Sequence, residues 1–130
     1  MTHYTGGCLC GAVRYSIDAE PIRQLLCNCV DCQKHTGTAF VSGLAVPSEA
    51  VSITGTMSTF TMPGGQSGEA MHRRFCTKCG SPILIEKDGT GRKLIMAGTL
   101  DDKSQFKPTI SLFCEQALSW SLCPRKPPRY

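Results

Sequence analysis

Cys76-Thr77-Lys78-Cys79-Gly80 and, far upstream, Cys8-Leu9-Cys10-Gly11 are two short thiol clips, each closed by a glycine. A tetrahedral zinc ion takes four ligands, with sulfur at about 2.3 Å, and two clips from separate strands supply them well. Glycine after the second cysteine permits positive φ, so the backbone can wrap back and point N–H groups at sulfur. Hydrogen bonds of that kind are the outer support that metal ligands need. A redox C-x-x-C competes at Cys76–Cys79, but no βαβ pattern surrounds it. At Cys8 and Cys10 the competing reading is two unrelated buried thiols. The clips predict a closed structural zinc site built from distant parts of the chain.

Between them lies a different group. Cys27-Asn28-Cys29-Val30-Asp31-Cys32 packs three thiols into six residues, which can converge on one metal from a single turn. No local residue offers a fourth ligand, and an open position marks a catalytic zinc. A distant Cys114, His72 or His35 would close it instead. Spacing also leaves open an exchange in which Cys8 and Cys10 join the middle group.

Size and composition agree with a small metal protein. A chain of 130 residues is one domain, residues 1–130. It buries roughly 65–70% of the surface its unfolded chain would expose. The 13 glycines and 8 prolines indicate many turns and short strands, and metal crosslinks would supplement a modest core. Nine cysteines cannot all pair as disulfides. The first residues show neither a basic nor an apolar leader region. No apolar run approaches the ~18 residues of a spanning helix. The expectation is therefore a reduced, cytoplasmic chain with no membrane partner, whose clustered thiols serve metal chemistry. The net charge of +4 falls to +1 once seven thiolates subtract seven charges and two Zn²⁺ add four, since bound thiols are deprotonated. Nucleic-acid binding gains little support from so small a charge.

The pattern along the chain is mostly β. Val13, Tyr15 and Ile17 alternate with polar residues, as in a half-buried strand. Residues 39–47, 51–54, 56–62, 69–75 and 82–86 read as further short strands, with a loop at Pro63-Gly64-Gly65. Asp88-Gly89 with Gly91 reads as a hairpin loop into residues 93–97. Helix signal is confined to a turn or two after Cys32 and to residues 115–118. The predicted fold is mainly β, of short antiparallel strands with little helix.

Gly7-Cys8-Leu9-Cys10-Gly11-Ala12-Val13-Arg14-Tyr15 and Cys27-Asn28-Cys29-Val30-Asp31-Cys32, with Thr36-Gly37 and Phe40, resemble the glutathione-dependent formaldehyde-activating enzymes. The likeness continues through Arg74-Phe75-Cys76-Thr77-Lys78-Cys79-Gly80-Ser81, Gly98-Thr99-Leu100-Asp101-Asp102, Lys107-Pro108 and Trp120. The same family includes centromere protein V. The resemblance implies a β-tent fold whose sheets meet at a zinc site near their apex. It implies that Cys8, Cys10, Cys76 and Cys79 hold a structural zinc, and Cys27, Cys29 and Cys32 a catalytic one. It also implies a carbon–sulfur lyase that joins glutathione, or a similar thiol, to formaldehyde or another small aldehyde. A non-catalytic zinc module binding protein or nucleic acid is the alternative, and an exchangeable metal position beside a pocket would separate the two.

Zinc at the middle group would present a thiol as thiolate, its nucleophilic form. The alkoxide formed on the aldehyde then needs a proton, for which His35 is the nearest titratable candidate. Its plainer reading is a solvent-facing loop histidine. Lys34, Arg73 and Arg74 are candidates for the carboxylates of glutathione, arginine being suited to paired hydrogen bonds; one of the three is expected to serve. Cys114 reads as a buried apolar thiol, Trp120 as core, Cys123 as a thiol of the tail and residues 125–129 as a solvated terminus.

Overall fold

The computed structural model describes residues 3–63 and 68–121. Cys123 and residues 125–129 lie outside them, as do Gly64 and Gly65 of the expected loop. In chain order the strands are β1 (Tyr4–Gly7), β2 (Arg14–Ile17), β3 (Arg23–Cys27), β4 (Val41–Pro47) and β5 (Val51–Thr54). They continue with β6 (Met57–Pro63), β7 (Ala70–Cys76), β8 (Pro82–Lys87), β9 (Arg92–Met96) and β10 (Ile110–Leu112). One α-helix, α1 (Val30–Thr36), separates β3 from β4.

The strands form two sheets. The smaller runs β1-β2-β5 and the larger β10-β3-β4-β9-β8-β7-β6. Neighbours are antiparallel, as expected, except that β10 lies parallel to β3. The fold is mainly β, and its helical content beyond α1 consists of short 3₁₀ turns, one of them at Cys114–Gln116. No helix among the described residues is long and apolar enough to cross a membrane.

Alternation decides what each face of the large sheet buries. Leu44, Ile95 and Leu84 stand opposite one another on β4, β9 and β8, and all three are fully buried. They meet Tyr15 and Ile17 of the small sheet and Val13 just before β2, and this interface is the main core. Leu94, Met96 and Ile85 alternate with them and face the other side, where they join Leu25, Cys27, Cys32 and Val41. Covered on both faces, the stretches Ile83-Leu84-Ile85 of β8 and Leu94-Ile95-Met96 of β9 read as continuous apolar runs. Ile95 sits at the centre of its row. Ile95→Ala is expected to cost about 2–5 kcal/mol by opening a cavity between the sheets. A chemical-denaturation curve within about 1 kcal/mol of wild type would contradict that packing.

The Gly98–Asp102 segment ties the end of β9 to the edge of the small sheet. Tyr15 donates its hydroxyl to Thr99 Oγ1 at 2.7 Å, and Thr99 in turn donates to the Met96 carbonyl at 2.7 Å. Asp101 accepts from Arg14 Nη1 at 2.9 Å and from Thr5 Oγ1 at 2.8 Å. The Arg14 hydrogen bond, ahead of that from Thr5, holds the Asp101 carboxyl down at about 2. The role of this segment is structural: it fixes the sheet that carries the first cysteine clip.

Two residues depart from their sequence reading here. Trp120 is 67% exposed and takes no part in the core. Cys114 is only half-buried, and its Sγ donates to the Ser111 carbonyl at 3.4 Å, so it is a polar contact of a turn rather than an apolar filler.

Candidate metal centres and the adjoining cavity

The two clips sit at the turns that face each other across the core. Cys8 and Cys10 follow β1 on the small sheet, whereas Cys76 ends β7 and Cys79 lies in the turn before β8 on the large one. Their four sulfurs lie within 4.8 Å of one another. Cys8 Sγ is 3.6 Å from Cys10 Sγ, which is 3.8 Å from Cys76 Sγ. A tetrahedral ion with metal–sulfur bonds of about 2.3 Å would space its sulfurs about 3.8 Å apart. The donor set fits such an ion, and a metal held there would join the two sheets.

The chain also provides the surrounding hydrogen bonds. Cys8 Sγ accepts the Val13 N–H at 3.2 Å, and Cys76 Sγ accepts those of Lys78 and Cys79 at 3.4 and 3.5 Å. Gly11 and Gly80 make these turns possible, with φ of 83° and 78°, a region open mainly to glycine. Ser81 lies 3.2 Å from Cys79 Sγ and accepts the Leu9 N–H at 3.1 Å, linking one clip to the other. Hydrogen bonds from the Ser81 side chain, then from its backbone, pull the Cys79 thiol down to about 5. Outer contacts of this kind stabilise the thiolate form that a metal requires.

The middle group is assembled more locally. Cys27 ends β3, Cys29 is the N-cap of α1, and Cys32 lies in the first turn. The helix thus begins two residues before Cys32 rather than after it. The reason is the cap: Cys29 Sγ accepts the Cys32 N–H at 3.4 Å. At the other end Gly37 closes α1 in the left-handed conformation, donating its N–H to the Gln33 carbonyl. Asn28, almost fully buried, donates to Ser111 Oγ and the Leu112 carbonyl at 2.9 and 2.8 Å. Gln33 donates to the Asn28 and Gln116 carbonyls. The cysteine turn is therefore clamped against β10 and the turn that follows it.

The three sulfurs again lie within 4.8 Å of one another, and no fourth ligating side chain joins them among the described residues. Both ring nitrogens of His72 are engaged, with Thr61 and Asp88, each at 2.9 Å. Cys114 is turned to Ser111. A hydrogen bond from Cys32, and then those from Cys29, bring the Cys27 thiol down to about 6 against the opposing effect of burial. Cys32 moves the other way, its proton retained chiefly by that same pairing. The group favours one thiolate even before any metal is considered.

Beside it opens a cavity of about 870 Å³, lined by Cys27, Cys29, Cys32, Met71 and Arg73 among others. That volume suits a small-molecule site. The four expected contact residues are not all brought to it. Arg73 is buried and lines the wall. Arg74, its neighbour on β7, is engaged elsewhere: Nε donates to Glu86 Oε1 at 2.6 Å, and Nη1 to Thr59 at 3.4 Å. Lys34 is exposed on α1 and outside the lining. His35 is no loop histidine. It occupies the last turn of α1 with Nε2 buried and without a hydrogen-bond partner among the described residues. Burial, then the charge of Arg73, holds its pKa below the ordinary histidine value. Lys87 and Gln116 line the cavity without having been singled out from sequence. Register on β8 could have found Lys87, which stands opposite Met71.

Fold and site together define a small β-rich protein with two cysteine groups able to hold metal ions. The family model of the glutathione-dependent formaldehyde-activating enzyme matches residues 3–116, and the chain belongs to that family.

Proposed function

We propose that this protein is a zinc-dependent carbon–sulfur lyase that joins glutathione to formaldehyde, giving S-hydroxymethylglutathione. Glutathione-dependent formaldehyde activation is the theme of its family. The observation that carries the reading is the three-sulfur group on the cavity wall with no fourth ligand among the described residues. Two zinc ions per chain are proposed. Cys8, Cys10, Cys76 and Cys79 would hold a structural one, and Cys27, Cys29 and Cys32 a catalytic one. When bound at the second group, zinc would supply positive charge that keeps a ligand thiol in its thiolate form.

The reaction balances simply. The thiol releases its proton in becoming thiolate, a sulfur lone pair forms the new C–S bond, the C=O π pair moves to oxygen, and that oxygen takes up one proton, so that no proton is gained or lost overall. The chain's contribution is to orient the thiol and to shelter it. Cys27 and Cys32 are held in the second apolar cluster with Leu25, Ile85 and Met96, and the clamp through Asn28 and Gln33 fixes the turn that bears them. Holding the reactants in place lowers the entropic part of the barrier. Free thiols of this number also suit a reducing compartment, and we place the protein in the cytoplasm.

Cobalt substituted into the protein tests the reading. Glutathione is expected to change the charge-transfer and ligand-field bands of the three-cysteine site as a fourth thiolate joins it. S-methylglutathione should act far more weakly, because a thioether is a poor ligand beside thiolate. The same response to both, or none to either, would rule out direct thiol ligation.

A further inference from the structure

Arg73 lies on β7 opposite Ile85 of β8, which stands opposite Leu94 of β9. This row faces the cavity, so strand alternation carries a guanidinium into the wall beside Ile85 and Leu94. Only 5% of Arg73 is exposed. Its Nε donates to Met62 Sδ at 3.3 Å and its Nη2 to Met71 Sδ at 3.6 Å. Thioether sulfur is a weak acceptor. Nη1 has no hydrogen-bond partner among the described residues, and no carboxylate among them pairs with this arginine. None of the cysteine sulfurs accepts from it either.

A guanidinium stays protonated in proteins, and a buried charge without an acceptor is strongly disfavoured. Such a group is kept where a ligand completes it. Arg73 belongs to the same cavity wall as Cys27, Cys29 and Cys32, which selects for a ligand carrying both a thiol and an anionic oxygen.

We propose that Arg73 determines specificity in this cavity: its incompletely satisfied guanidinium takes a carboxylate oxygen of the thiol ligand, so that anionic thiols are chosen over neutral ones. The proposal rests on the three-cysteine group being the thiol-binding metal site. Arg74 has no such part, because Glu86 already satisfies it.

The test uses cobalt-loaded protein and two probes of nearly the same shape, 3-mercaptopropionate and 3-mercaptopropionamide, titrated by the visible bands. Wild type is expected to bind the carboxylate about 10- to 100-fold more tightly, the range of a charge-assisted hydrogen bond. Arg73→Met, whose side chain suits a site between Met62 and Met71, should erase that preference and leave the amide's affinity unchanged. Arg73→Gln serves in its place if the methionine variant does not fold, and Arg73→Lys should keep part of the preference. Equal weakening of both thiols by Arg73→Met would make Arg73 a counter-charge to the cysteines and overturn the proposal. So would a wild type that binds both probes alike while its bands still respond, which leaves the metal-site reading standing. If neither thiol moves the bands, both readings fall together.

Discussion

Cys76→Ser is expected to yield protein with no stable fold, recovered in little or no soluble form. Cys76 is fully buried, packs into the main core and stands 3.8 Å from Cys10 across the gap between the sheets. Its sulfur also collects the N–H groups of Lys78 and Cys79. Structural zinc contributes on the order of 10–16 kcal/mol to the folding of small domains, against a total stability of about 5–15 kcal/mol. With the zinc proposed at this group, loss of one thiolate in four removes a large share of the whole. Serine offers a poorer ligand and leaves a polar hydroxyl where the apolar core had sulfur. Soluble yield and a thermal melt beside wild type decide the matter. A variant melting within a few degrees of wild type would show that the four-cysteine group does not hold the sheets together.

The parts of this architecture that depend on local spacing were legible in the sequence. Both clips and the middle triad can be read because the thiols within each lie only two to five residues apart, a spacing that brings them together in space locally. β2 was legible for a related reason, since Tyr15 and Ile17 alternate with exposed or half-exposed partners. β1 was not, because Tyr4-Thr5-Gly6-Gly7 carries two glycines where a strand usually shows branched side chains. β3 escaped for the opposite reason: Leu25, Leu26 and Cys27 are all buried, so no alternation marks them. β10 is only three residues long and pairs parallel with β3, a contact spanning more than eighty residues that no local pattern announces. The pair Arg73-Arg74 shows the limit most clearly. Two identical side chains in succession must point to opposite faces of β7, but nothing in the two letters says which one turns inward. That choice is made by register: Arg73 stands opposite Ile85, whose side chain belongs to the cavity-side cluster, and Arg74 is left to Glu86.

The middle site calls for a different substitution, because Cys27 and Cys32 are buried among Leu25, Val41, Ile85 and Met96 and altering either would disturb packing as well as ligation. Cys29 is only half-buried, and its structural task is to cap α1 by accepting the Cys32 N–H. Serine is among the best capping residues, so Cys29→Ser can keep that hydrogen bond while giving up the thiolate. The helix and the clamp through Asn28 and Gln33 should survive. Cys29→Ser is accordingly expected to melt within a few degrees of wild type, to carry one zinc against the two proposed for wild type, and to form S-hydroxymethylglutathione at no more than the uncatalysed rate. Metal content of the purified variant, its melt and its rate are measured together. Collapse of Cys29→Ser as complete as that of Cys76→Ser would make the middle group structural as well. Full activity in a chain holding a single zinc would place the chemistry elsewhere and remove the open three-cysteine site from the mechanism.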